Sequence, residues 1–238
     1  MKHILQFFYI LWQWLIALPI FSLITLFTAI TTMIFCHWRN AEWLHRIQQF
    51  WSRSFYYLLF VPVTVSGTEN IRKGQSYVFV SNHQSMADVF LVYGWLPVIF
   101  KWIMKKELRK IPFVGTACAA AGHLFLERGR TRSAFSTVKN AENTLHDGVC
   151  VVIFPEGTRT ADGQVGRFKR GAFAIAEDLN LPIIPISLTG CFELMPKGQF
   201  FVRHHRATMK IGKEMNLADY PDQESAIAAI RQAVIDNM

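Results

Sequence analysis

Residues 76–94 read SYVFVSNHQSMADVFLVYG. The first half is a short, partly β-branched apolar run of strand length, and the second half reads as a helix. Asn82-His83-Gln84 therefore forms the turn from a strand into a helix, at the strand end where sheets with helical crossovers hold their sites. Two roles are open for Asp88. Ser85-Met86-Ala87-Asp88 fits S-x-x-D, in which the carboxylate merely closes the helix start. A histidine in the turn and a carboxylate in the first helical turn can also meet. Asp88 would then hold one imidazole nitrogen and leave the other free to take a proton from a hydroxyl.

Outward from this unit, the chain beyond Pro62 keeps the same texture. Strands are predicted at 63–66, 76–81, 123–126, 149–154, 182–188 and 207–211, and helices near 85–96, 131–146, 171–179 and 223–236. This alternation predicts an α/β fold with a mixed, largely parallel sheet flanked by helices. A chain of 238 residues suits one globular core plus an accessory segment. The division expected is an N-terminal membrane-embedded and interfacial helical segment, 1–60, and an α/β domain, 61–238.

The N-terminal segment belongs in lipid. From Ile4 to Cys36 no residue is charged; Gln6, Gln13 and Pro19 interrupt a run rich in Leu, Ile, Phe and Trp. At ~1.5 Å per residue a straight helix of that length reaches about 50 Å, beyond a hydrocarbon core of ~30 Å. Either one tilted span starts partway in, or the chain breaks near Pro19 into a shallow helical hairpin. The run is also far longer than the apolar core of a signal peptide. Next, Trp43, Leu44, Ile47, Phe50, Trp51, Phe55 and Leu58 recur at three- and four-residue intervals opposite Arg39, Arg46 and Arg53. That amphipathic helix suits either the headgroup layer or the chain's own core. Lys2 precedes the apolar run and the three arginines follow it, so the α/β domain is expected on the cytoplasmic face, read as that of a bacterial inner membrane.

Composition narrows the partners. With 25 Lys and Arg against 17 Asp and Glu, a net charge of +8 and 51% hydrophobic residues, the chain suits anionic membrane surfaces or anionic substrates. No nucleic-acid reading module accompanies the charge, so no nucleic-acid partner is expected. Cys36, Cys118, Cys150 and Cys191 stand far apart without CxxC or Cys/His spacing. Free thiols in a reducing compartment, without a metal site, are the expectation.

NHQSMAD (82–88) resembles the NHxxxxD box of the glycerolipid acyltransferases, the family of 1-acylglycerol-3-phosphate acyltransferases. In that family's order follow KKELRKIPFVG (105–115), GHLFLER (122–128), FPEGTR (154–159) with FKRGAF (168–173), and LPIIPISLTG (181–190). The ordered set carries the resemblance, since His-x4-Asp alone is common. It covers about residues 63–190, with Leu126 and Thr160 as minor departures from isoleucine and serine. The resemblance implies acyl transfer from acyl-coenzyme A or acyl-carrier protein to the sn-2 hydroxyl of lysophosphatidic acid, giving phosphatidic acid among membrane phospholipids. His83 would be the general base and Asp88 its orienting partner. Another lysolipid or glycerol-3-phosphate is the alternative acceptor, and an anionic-lipid binder without turnover the rival from another class.

The remaining blocks fit phosphate chemistry in their own right. In Pro155-Glu156-Gly157-Thr158-Arg159, the glycine permits close backbone approach and Arg159 offers a planar fork to an anion. Arg128, after the predicted strand 123–126, and Lys105 can converge with Arg159 on one phosphate at the mouth of the sheet. Gly157 and Thr158 would add backbone and hydroxyl donors. Glu156 is left with two roles, positioning Arg159 or binding a glycerol hydroxyl. No serine stands in a G-x-S-x-G elbow and no cysteine has an activating neighbour, so direct attack without an acyl-enzyme is expected. A thioester is already activated, so the expectation is no cofactor and no metal.

Overall fold

The computed structural model describes residues 2–36, 41–126 and 148–238. The strand that opens the 76–94 unit is β2, Val78–Ser81, and all four of its residues are buried. A strand with no face for water belongs at the centre of a sheet covered on both sides. Around it lie β1, Val63–Ser66, β3, Phe100–Lys105, and β4, Leu124–Leu126. The set is completed by β5, Cys150–Ile153, β6, Ile183–Thr189, and β7, Ala207–Ile211.

Among the described residues these form one seven-stranded sheet of order β1-β7-β6-β2-β5-β3-β4. β2 pairs in parallel with β5 and β6, β5 with β3, and β3 with β4. β7 runs antiparallel to β6, and β1 parallel to β7. The sheet is therefore mixed and largely parallel, as the sequence predicts. The carboxyl ends of β2 through β6 share one edge, which also holds the loop into β7.

Alternate residues supply the two faces of the sheet. Tyr77, Phe79, Val152, Ile184 and Ile186 pack toward Tyr56, Leu91 and Leu96, residues of the helical layer. Val78, Val80, Val151, Ile153 and Ile183 pack toward Phe173, Ile175, Ile230 and Val234 on the other side. The helix Gln223–Asp236 covers this second face, its start capped by the Asp222 side chain accepting from Ser225 N.

β3 has no counterpart among the predicted strands. Lys101 and Lys105 break its apolar run, yet Lys101 Nζ is taken up by the Ala121 carbonyl at 2.6 Å, and Phe100 and Trp102 are buried. The aromatic residues at 100 and 102 thus belong to the core. The helix predicted at 131–146 lies outside the described residues. The one at 171–179 is shorter than predicted, a 3-10 turn Arg170–Ala172 followed by Ala174–Asp178.

The N-terminal segment is one continuous helix: α1, Lys2–Trp12, a π-helical turn Gln13–Ala17, and α2, Leu18–Phe35. Pro19 has no N–H for the Leu15 carbonyl and its ring crowds that carbonyl; the widened turn just before it accommodates both defects without a break. Of the two arrangements open from sequence, the hairpin at Pro19 is not formed. The stretch Ile4–Phe35 is long and apolar enough to cross a membrane, by length and composition. Its inner face is buried at Gln13, Ala17, Thr28, Ala29, Thr31 and Thr32, while Leu5, Leu15, Leu23, Phe27 and Ile34 are exposed. The amphipathic helix α3, Ala41–Leu58, packs on α2 and on α4, Ala87–Trp95. Its apolar stripe divides: Leu44 is buried while Trp43 and Phe50 face outward.

Beneath α3, His45 and His123 approach the Tyr93 ring with centroids 5.8 and 6.0 Å away. Burial pushes His45 down to about 4 and His123 down to about 3, with the Lys101 charge adding to both. His123 Nδ1 accepts from Trp102 N at 3.2 Å, which requires the uncharged ring. Histidines held below their unfolded value leave the protein at full stability above pH ~6.5; as pH falls toward 4 the unfolded chain takes up protons that the folded one refuses. Denaturant titration should find stability declining by several kcal/mol across that window, and His123→Asn, which retains an acceptor, should flatten the slope.

Candidate active site

The turn after β2 is fastened from two sides before the helix begins. Asn82 Nδ2 donates to the Leu188 carbonyl at 2.9 Å, and its Oδ1 accepts from Leu188 N at 2.8 Å, so the turn is clamped to β6. His83 N donates to Glu156 Oε1 at 2.8 Å, and the His83 carbonyl accepts from Thr160 N at 2.9 Å, which ties it to the loop after β5. With its backbone held, His83 has little choice of where to send its ring.

That ring lies flat on Phe154, centroids 4.0 Å apart at 9°, and Trp102 stacks behind Phe154 at 5.3 Å. His83 Nδ1 is 2.9 Å from Asp88 Oδ2. The same oxygen accepts from Gln84 N at 2.6 Å and Ser85 N at 2.7 Å. An oxygen gathering N–H donors is an acceptor, so Nδ1 carries the ring proton and Nε2 presents its lone pair. Nε2 has no hydrogen-bond partner among the described residues. The Asp88 side chain is fully buried and that of His83 is 15% exposed. Both arrangements open for Asp88 from sequence coexist: it closes the helix start through Ser85 N, and it holds the imidazole.

The loop after β5 stands between the His83 turn and Lys105, because β5 lies between β2 and β3. Gly157 adopts φ +71°, a left-handed conformation that glycine takes without a Cβ penalty, and its N–H closes the turn on the Phe154 carbonyl at 3.0 Å. Glu156 is buried, and its second oxygen accepts from Gly166 N at 3.1 Å. A Cβ at Gly166 would stand 2.8 Å from that oxygen, so the site leaves no room for one. Burial pushes the Glu156 carboxyl above its usual range, while the N–H groups of His83 and Gly166 pull it back. Among the described residues Glu156 makes no ion pair with Arg159; it braces the His83 turn against residue 166. Arg159 is half-buried, and Thr158 and Lys105 are exposed at the same sheet edge. Arg128 lies outside the described residues.

Asn82, Phe154 and Gly166 complete the site without having been singled out in the sequence. Asn82 was within reach, as it sits inside the NHxxxxD pattern. Phe154 likewise opens the FPEGTR block, whereas Gly166 acts through a contact with no local signature. Burial pushes the Cys118 and Cys150 thiols up to about 11, and burial together with the Asp88 charge raises Cys191 far above its ordinary value. None of these three is an activated nucleophile. None of the four cysteines forms a disulfide. Among the described residues no group of three or more His, Cys, Asp or Glu side chains could hold a metal ion.

Residues 62–189 match the family model described as Acyltransferase. A chloroplastic 1-acyl-sn-glycerol-3-phosphate acyltransferase of Arabidopsis thaliana is 35% identical over 162 residues, 68% of this chain and 45% of that protein. One from Chlamydomonas reinhardtii is 30% identical over 229 residues, 95% of this chain and 67% of that protein. The human alpha form is 40% identical over 134 residues, 56% of this chain and 47% of its own length. The chain thus spans about half the length of the Arabidopsis and human relatives. The crystal structure of the 1-acyl-sn-glycerophosphate (LPA) acyltransferase PlsC from Thermotoga maritima superposes with a TM-score of 0.81 at 25% identity, covering 99% of this chain and 97% of that one.

Proposed function

The chain belongs to the acyltransferase family, and on that premise we propose that it moves a fatty acyl group from a thioester, acyl-coenzyme A or acyl-carrier protein, to the sn-2 hydroxyl of 1-acylglycerol-3-phosphate. The product is phosphatidic acid and a free thiol. The observation that carries this reading is the His83 imidazole, held through Nδ1 by a buried carboxylate at 2.9 Å with Nε2 open.

In the proposed step the acceptor oxygen attacks the thioester carbonyl as Nε2 takes its proton. The C–S bond then breaks as the tetrahedral intermediate collapses, and the imidazolium returns its proton to the departing thiolate. Asp88 keeps the ring in the correct tautomer and stabilises its cationic form. Arg159 and Lys105, with Arg128, hold the acceptor phosphate. Fixing it there sets the hydroxyl against Nε2, a positioning effect that can supply several kcal/mol of barrier lowering. Thr158 offers a further hydroxyl donor to it, while Gly157, its N–H taken up by the Phe154 carbonyl, serves by leaving the turn open to close approach. Glu156 acts through His83, bracing the turn that aims the ring. The thioester itself supplies the activation, so the step needs no cofactor.

The acceptor is a lipid, and the N-terminal helix suits that role. Tyr9 and Trp12 donate to the Leu59 and Leu58 carbonyls, Trp51 to Thr25 Oγ1, and Phe21 stacks on Trp51. A helix pinned along so much of its length to α3, which itself packs on α4 of the α/β domain, lies along that domain with its exposed apolar face in the bilayer. The domain then stays on one side, proposed as the cytoplasmic face.

Incubation of the purified protein with radiolabelled acyl donors and a panel of acceptors tests this. Phosphatidic acid from lysophosphatidic acid is the expected product. Acylation of glycerol-3-phosphate or another lysolipid alone would overturn the acceptor. Lipid binding without any product would overturn the enzyme.

A further inference from the structure

Residues 196–206, PKGQFFVRHHR, connect the short helix Cys191–Leu194 to β7 and lie beyond the family match. Phe200 is 88% exposed, and Phe201 beside it is 43% exposed. Two adjacent phenylalanines in the open are unusual on a surface that meets only water. Lys197, Arg203 and Arg206 are exposed around them, and among the described residues none of the three pairs with a carboxylate.

The loop holds this shape. Gln199 N closes a turn on the Pro196 carbonyl, and Arg203 N donates to the Leu194 carbonyl at 2.8 Å. Val202 is buried, and both its backbone groups bond the side chain of Gln13: Nε2 donates to the carbonyl at 2.7 Å, and Oε1 accepts the N–H at 3.0 Å. A buried glutamine in an otherwise apolar helix is thereby explained. The Phe201 ring meets Trp14 edge-on at 6.0 Å, so the exposed pair continues the apolar surface of Leu11, Trp14 and Leu15. On its other side the segment is tied to the candidate active site, since Met195 O accepts from Ser85 Oγ at 2.7 Å.

We propose that loop 196–206 is a second membrane-docking element, whose occupant is an anionic bilayer. Phe200 and Phe201 enter the boundary between headgroups and acyl chains, and Lys197, Arg203 and Arg206 meet lipid phosphates. The basic rim selects an anionic bilayer over an apolar protein face. Docking here brings the edge of the sheet that bears His83 to the surface where a lysolipid resides. The proposal extends the reading of the N-terminal helix as membrane-lying, and its test does not depend on turnover.

In full-length protein with Cys36→Ser and Cys118→Ala, which leaves only the buried Cys150 and Cys191, one accessible reporter cysteine is placed by Phe200→Cys, by Leu15→Cys on the helix, or by Lys213→Cys at the opposite sheet edge. Each is labelled with an environment-sensitive fluorophore and mixed with phosphatidylcholine vesicles, with or without phosphatidylglycerol. Labels at 200 and 15 should shift to the blue and be quenched by spin-labelled lipid, while that at 213 stays water-like. Lys197→Glu with Arg203→Glu and Arg206→Glu should weaken quenching at 200 about tenfold on the anionic vesicles and remove its dependence on phosphatidylglycerol. A water-like label at 200 beside a quenched one at 15 overturns the loop proposal and leaves the helix reading intact. Water-like labels at both overturn both. Equal quenching at 200 with and without phosphatidylglycerol overturns the anionic partner.

Discussion

Replacing His83 by alanine is expected to lower acyl transfer by about a thousandfold, within the 10²–10⁴ that positioned general bases contribute. The ring is 15% exposed and rests on Phe154, and neither ring nitrogen holds another element of the fold apart from Asp88. Folding and vesicle binding should therefore persist, and a steady-state assay on lysophosphatidic acid should find the loss mainly in kcat. A His83→Ala protein that keeps its kcat would remove the base from the mechanism, whatever its acceptor.

Asp88→Ala should do two things at once. The single oxygen Oδ2 gathers His83 Nδ1, Gln84 N and Ser85 N, all within 2.9 Å. Deleting it leaves two backbone N–H groups buried without an acceptor, a cost of about 2–4 kcal/mol in chemical denaturation. It also frees the imidazole to turn and leaves its cation unpaired, so kcat should fall by about 10²-fold or more. Asp88→Asn separates the two effects. Its amide oxygen still accepts from the backbone, so stability should largely return; a neutral group cannot stabilise the imidazolium, so kcat should not. Were Asp88→Asn to regain activity along with stability, Asp88 would only be closing the helix.

The relation between His83 and Asp88 was legible in the sequence because it is local. The pair stand five positions apart, with four residues between them, and the turn from an apolar strand into a helix is enough to bring them face to face. Glu156 was legible as a site residue only by its place in FPEGTR, and its partners were not. Whether it met Arg159, a substrate hydroxyl or the backbone depended on a partner 73 residues away, His83 N. Asn82 and Leu188 are 106 apart. β3 was missed for a related reason. Lys101 interrupts its apolar run, and the group that accommodates that charge, the Ala121 carbonyl, lies 20 residues away.

The N-terminal helix marks the same boundary. Its apolar character and length follow from composition, and its course past Pro19 does not. A widened turn absorbs the defect, and Gln13, an interruption when read along the chain, is a clamp on Val202.

By itself the sequence determined the α/β class, the helical character of the N-terminus, and the histidine with its acid, because periodicity and short-range turns encode these within a few residues. Only the tertiary structure decided the strand order, the reversal of β7, the face on which the N-terminal helix rests, and the groups that brace the His83 turn. Those depend on which distant surfaces can satisfy one another's buried donors and acceptors, and no local pattern carries that pairing.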